Sequence, residues 1–116
     1  VEHNSRLPPA VSLGDFEQIV LFALYRLGPD AYGAQIRREI EARTARELSI
    51  SAVYTTLDRL EAKGLVASRI GVPTPTRGGR RRKHFTLLAP GRRAMAQAYR
   101  TFRYMTEGLE AGLGAL

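Results

Sequence analysis

Two stretches of this chain place polar side chains in patterns that can do chemistry. Residues 49–66, SISAVYTTLDRLEAKGLV, set Val53, Leu57 and Leu60 at i, i+4 and i+7, a narrow apolar stripe along one side of a helix. Burying that stripe leaves Ser51, Ala52, Tyr54, Thr55 and Asp58 toward the other side, small and polar near the N-terminus. Ser51 and Thr55 can donate hydrogen bonds to phosphates or base edges, Tyr54 can bond a phosphate or stack, and Ala52 can meet a thymine methyl. For Tyr54 the competing reading is a half-buried aromatic that completes the core edge. Residues 78–88, GGRRRKHFTLL, follow as a basic segment in which Gly78 and Gly79 allow close backbone approach. Arg77, Arg80, Arg81, Arg82 and Lys83 can hold phosphates there, and arginine also enters a narrow minor groove. The competing reading is a solvated charged loop.

The elements needed to position these groups are legible around them. Ser12 to Asp15 (S-L-G-D) matches a capping box ahead of an apolar run and predicts the start of a first helix. Its centre, Ile19 to Tyr25, is apolar on nearly all sides and so is buried on more than one face, until Gly28 and Pro29 stop it. Tyr32 and Gly33 open a second helix with Ile36 and Ile40 inward and Arg37, Arg38, Glu39 and Glu41 toward water. Ser49 caps the third helix and Gly64 ends it. Leu65 to Ile70 and Lys83 to Leu88 read as the strands of a hairpin with a long tip, where Pro73 and Pro75 remove two amide donors from any ladder.

From Pro90 onward the chain reads as one long helix with proline in its first turn. Met95, Phe102, Leu109 and Leu116 fall on one line of a seven-residue repeat and Ala98, Met105 and Gly112 on another, with Tyr99 and Tyr104 beside them. That spacing describes a helix-packing seam. A core of this size leaves little apolar surface for so long an arm to cover, so the seam points to a homodimer with Phe16, Met95, Ala98, Tyr99, Phe102, Met105 and Leu109 at its interface. Gly108, Gly112 and Gly114 predict fraying past about residue 108. The expected layout is a flexible tail over 1–11, a winged helix-turn-helix over 12–89 and a dimerisation helix over 90–116. The fold class is mainly α with a small β-hairpin.

Composition narrows the functional classes. The net charge of +7 is unevenly placed: residues 1–49 carry net −1 and residues 50–116 net +8, and between Arg69 and Lys83 there are six basic residues and no acid. A polyanionic partner is implied, although charge alone does not separate DNA from RNA or an anionic membrane. The absence of cysteine excludes disulfides, thiol redox sensing, cysteine catalysis and Cys-ligated zinc. Only His3 and His84 could offer imidazole ligands, one in the tail and one in a strand, so no metal or cofactor is expected and His84 reads as a strand residue with a satisfied ring. No run is long and apolar enough to span a membrane, and VEHNSRLPPAV lacks the apolar core of a signal peptide, so a cytoplasmic location without membrane contact is the expectation.

The series YGAQIRREI, SAVYTTLDRLEAKGLV and GGRRRKHFTLLAPGRRAM resembles the PadR family of bacterial transcriptional regulators over roughly residues 13–107. The run Tyr54 to Leu65 together with the Arg80 to Lys83 wing carries the likeness, and the length and single C-terminal helix look like the small subgroup. The resemblance implies a dimeric winged-helix repressor with Tyr54 and its helical neighbours at DNA and Arg80 to Lys83 at the backbone. It also implies a small aromatic or cationic effector at the dimer interface, which Phe16, Tyr25, Tyr99 and Phe102 could line. Two positions depart from the pattern: Leu88 stands where a capping Thr is usual, and His84 where an aromatic is common. The chain also has no tryptophan, so a tryptophan stacking platform is impossible.

Three function classes compete. The favoured one is a sequence-specific homodimeric repressor that binds an inverted-repeat operator in double-stranded DNA and is released by a small molecule. A sequence-independent module for DNA architecture or RNA would use the same charge but needs aromatic stacking platforms, and only Phe85 lies near the basic loop. An enzyme is not expected, because there is no Ser/His/Asp set, no carboxylate cluster in an apolar setting and no phosphate-binding glycine motif.

Overall fold

The computed structural model describes residues 12–71 and 82–116. Arg77, Arg80, Arg81, Pro73, Pro75, Gly78, Gly79 and His3 lie outside those residues. Three helices, a small sheet and a C-terminal arm follow in order: α1 (Asp15–Leu27), β1 (Ala31–Tyr32), α2 (Gly33–Thr44), α3 (Ile50–Ala62), β2 (Val66–Ile70), β3 (Lys83–Leu87), α4 (Ala89–Thr106) and α5 (Glu110–Gly114). The sheet order is β1-β3-β2, antiparallel throughout.

The all-round apolar character of α1 has a direct structural cause: it packs against α2, α3, α4 and β3 at once. Val20, Leu21 and Leu24 are fully enclosed, with Ile36 and Ile40 of α2, Val53, Leu57 and Leu60 of α3, and Phe85 of β3 around them. The helix begins two residues later than the Ser12 to Asp15 pattern predicts. Gly14 is the N-cap residue, and its amide donates to Glu17 Oε1 at 2.7 Å. A distant partner sets this register, because Lys63 Nζ donates to the same Glu17 oxygen at 2.8 Å and to the Ser12 carbonyl at 2.6 Å. The nearly buried Glu17 carboxylate thereby joins the start of α1 to the residue that caps α3.

The hairpin expected from sequence is present, with Val66 opposite Leu87 and Ile70 opposite Lys83, and it gains a third strand. Ala31 pairs with Phe85 and Tyr32 with His84. The turn that delivers β1 contains Asp30 at φ 61, a left-handed conformation uncommon for a residue with a Cβ. Three contacts hold it: its amide donates to Thr86 Oγ1 at 3.1 Å, its carboxylate accepts from Arg69 Nε at 2.9 Å, and its carbonyl lies 2.9 Å from His84 Nδ1. The His84 ring is thus satisfied within the sheet, as a strand residue should be.

The arm departs from one continuous helix. Leu88 caps α4 with extended backbone and no side-chain bond, and proline occupies the first turn in its place. The helix stops at Thr106, Gly108 turns the chain at φ 83, and only the short α5 follows. Glycine takes that conformation without steric cost, so the seven-residue repeat is broken between Met105 and Leu109 even though the apolar spacing runs on. Leu109, Gly112 and Leu116 therefore do not extend the α4 seam.

Candidate nucleic-acid interface

Helix α3 is built to show one side. Ser49 Oγ accepts from the Ala52 amide at 3.1 Å, satisfying a donor that the helix itself cannot, and Gly64 at φ 76 closes the other end. With Val53, Thr56, Leu57 and Leu60 buried, Ser51, Ala52, Thr55, Asp58 and Arg59 are exposed. Ser51, Ala52 and Thr55 therefore stand where the spacing placed them.

Tyr54 is held more firmly than a free contact residue would be. Its ring covers Gly33, where a Cβ would come within 2.5 Å of the Tyr54 ring carbon Cζ, and it lies 6.1 Å from the Phe85 ring. Half-buried between α2 and β3, Tyr54 is part of the packing as well as part of the α3 surface. The reading of Tyr54 as a half-buried aromatic completing the core edge is the one these contacts support.

At the base of the wing, Gly71 donates its amide to the Arg82 carbonyl at 2.8 Å, carrying the hairpin pairing one step past the strands. Arg82 is exposed and its guanidinium lies 4.2 Å over the Tyr32 ring, while Lys83 is half-buried with its ammonium 5.7 Å from the Phe85 ring. Tyr32 is also edge-on to His84 at 6.1 Å. The guanidinium groups of Arg38 and then Arg82 beside the Tyr32 hydroxyl hold its pKa below the ordinary phenol range. Arg69, bonded to Asp30, holds that carboxyl below its usual value. Sequence reading did not single out Tyr32 or Asp30, and it took Arg38 for a solvated surface. Tyr32 meets Arg82 and His84 because β1 pairs with a strand more than fifty positions away, and no local spacing carries that signal.

The residues assigned to a dimer face divide into two groups. Met95 is buried in the body of its own subunit except where it lines a groove, and Phe16 is half-buried against the same core. Ala98 is half-buried, while Tyr99, Phe102, Met105 and Leu109 are exposed. Of the four aromatics considered for an effector, Tyr25 and Tyr99 line one open groove of about 640 Å³ with Phe22, Arg26, Arg92, Met95 and Ala96. Phe16 and Phe102 are not among its lining residues.

Among the described residues no group of His, Asp or Glu could hold a metal ion, and no helix is long and apolar enough to cross a membrane.

A family model described as the transcriptional regulator PadR-like family matches residues 20–97. A search of curated proteins finds no match. Among solved structures, a PadR family transcription regulator from Clostridium difficile is similar with TM-score 0.70 and 24% identity, covering 86% of this chain and 99% of its own. A putative transcriptional regulator from Thermoplasma acidophilum has TM-score 0.67 and 17% identity over 84% of this chain and 92% of its own. A PadR-like regulator from Bacillus cereus has TM-score 0.66 and 14% identity over 84% and 90%. At these identities the structural likeness establishes the fold, and the match across most of the chain establishes the family.

Proposed function

The chain belongs to the transcriptional regulator PadR-like family, and from that premise we propose that it is a homodimeric repressor that binds an inverted-repeat operator and is released by a small aromatic molecule. It is a regulator of transcription and not an enzyme. One observation carries the finer reading: the exposed face of α3, with Ser51, Ala52 and Thr55, stands beside the root of a wing whose sequence from Arg69 to Lys83 holds six basic residues and no acid. A helix face with small polar groups suits base edges, and a basic hairpin suits phosphates. In this reading Tyr54 and the exposed α3 residues face the major groove, and Arg77, Arg80, Arg81, Arg82 and Lys83 hold the backbone.

Dimerisation rests on Tyr99, Phe102 and Met105, which α4 leaves in solvent. The groove between α1 and α4 supports the effector. Its aromatic walls suit a planar ring, and Arg26 and Arg92 line it with no carboxylate, which favours an aromatic anion over a cation.

Selection from a random duplex library tests the proposal. The expected outcome is an inverted repeat with half-sites about one helical turn, roughly 34 Å, apart. Tyr54→Phe or Thr55→Ala should weaken the selected site more than random duplex, while Arg80, Arg81 and Arg82 changed together to Ala should weaken both. Strong binding with no sequence enriched would favour the sequence-independent module instead.

A further inference from the structure

A helix in the major groove and a wing in the adjacent minor groove straddle one sugar-phosphate strand, because that backbone is what separates the two grooves. Whatever the fold places between the two elements must face phosphates. In this protein the position between them is occupied by Tyr32, Gly33, Arg38 and Arg82. Gly33 touches Tyr54 of α3, and Arg82 at the root of the wing lies over the Tyr32 ring. Arg82, just before β3, lies over the Tyr32 ring, and Arg38 of α2 is the other guanidinium acting on its hydroxyl. Both are exposed, and among the described residues neither is paired with a carboxylate. The neighbouring Arg69 shows the contrast, since it has Asp30. Two exposed cations beside one neutral phenol, neither neutralised by a carboxylate among the described residues, make a site complementary to an anion.

Resting on the DNA-binding reading above, we propose that the Tyr32 hydroxyl, Arg38 and Arg82 form a clamp for one DNA phosphate between the recognition helix and the wing. The two guanidinium groups supply charge and paired N–H donors, and the phenol supplies a neutral O–H donor. Gly33 serves the clamp by lacking a side chain: any Cβ there would displace Tyr54 and separate α3 from the Tyr32 end of α2. The clamp would fix how far α3 sits in its groove without reading a base. Its neighbours include His84, stacked edge-on against Tyr32, and the Asp30–Arg69 pair, and together they set Tyr32 rigidly on the sheet edge.

The test uses the full chain and the selected duplex, with binding followed by fluorescence anisotropy from 50 to 200 mM salt. Arg38→Gln is expected to weaken selected and random duplex alike by about tenfold and to flatten the log K against log salt slope by about 0.9 per subunit. Arg38→Lys should restore the slope. Tyr32→Phe, which removes only a neutral donor, should weaken binding by about threefold with the slope unchanged. Duplexes carrying one neutral methylphosphonate at a time should reveal a phosphate whose loss weakens wild type and not Arg38→Gln. If wild type binds duplex and Arg38→Gln keeps its slope and its methylphosphonate profile, the clamp is wrong and the regulator reading stands. A change in the ratio of specific to random binding in Arg38→Gln would also overturn it, by making Arg38 a base reader. If wild type itself shows no salt-dependent duplex binding, both readings fall.

Discussion

The winged-helix body and the C-terminal arm treat apolar side chains in opposite ways. In the body, Leu57, Leu60 and Phe85 are 0% exposed, and α1 touches every neighbouring helix. In the arm, Phe102 is 58% and Met105 73% exposed, and Leu109, Leu113 and Leu116 are exposed as well. Sequence patterning is equally strong in both regions, so the pattern alone does not tell whether an apolar face is closed within one chain. The difference is one of packing partners: α2, α3, β3 and the first turns of α4 enclose Val20, Leu21 and Leu24 of α1, whereas Tyr99, Phe102, Tyr104 and Met105 of α4 are left exposed among the described residues. In the proposed dimer, the exposed Tyr99, Phe102 and Tyr104 of α4 form the face for a partner, and the helical spacing suits a second copy.

The sharpest way to break this contrast is to truncate one aromatic in each region. Phe85→Ala should cost about 4 kcal/mol of unfolding free energy, as deletions of fully buried aromatics do. Phe102→Ala, measured in protein dilute enough to be monomeric, should cost under about 0.5 kcal/mol. Similar losses in urea titrations of the two variants would mean that the arm packs within its own subunit.

A second variant locates the border between the regions. Gly91 lies in the first turn of α4, and a Cβ there would come within 2.3 Å of the Leu65 carbonyl oxygen, a backbone atom that itself accepts from the Leu88 amide. Neither side can yield, so Gly91→Ala should destabilise the body by about 3 kcal/mol. An unchanged melting temperature would place the start of α4 with the loosely held arm.

The Glu17–Lys63 pair gives a smaller effect inside the body. Lys63→Ala leaves a nearly buried carboxylate with the Gly14 amide as its remaining hydrogen-bond donor among the described residues and should cost about 2 kcal/mol, less than a fully buried pair because Lys63 is partly in solvent. Burial works to raise the Glu17 pKa, but the bonds from Lys63 and Gly14, with the charge of Arg59 behind them, hold it below its ordinary value near 4.5. A carboxyl depressed in the folded state stabilises above its unfolded pKa, and that contribution is lost as pH falls through the folded value. Stability should therefore decline below about pH 4.5, and Glu17→Gln should flatten that decline. Identical pH profiles in denaturant titration would remove the pair from the account.

How far the chain could be read without its structure follows the same division. The α3 stripe, the Ser49 cap and the Gly64 stop are local, and each needs only residues within a few positions of one another. The strand at Ala31 and Tyr32 is two residues long and exists only by pairing with β3, so no periodicity could announce it. The start of α1 depends on Lys63, and the meeting of Tyr32 with Arg82 depends on that same strand. The end of α4 holds two conflicting signals, an apolar repeat running through Gly108 and the glycines that weaken the helix there, and the backbone turn at Gly108 decides between them.

Oligomeric state tests the central claim most directly, because a repressor on an inverted repeat needs two recognition helices fixed in one particle and the exposed arm is the surface offered to join them. Light scattering at micromolar concentration should give the wild-type protein twice the 12.9 kDa chain mass, and Phe102→Asp, which would bury an unpaired carboxylate at the joint, the mass of one chain. A monomeric wild type, or a Phe102→Asp protein that is still dimeric, would contradict the account.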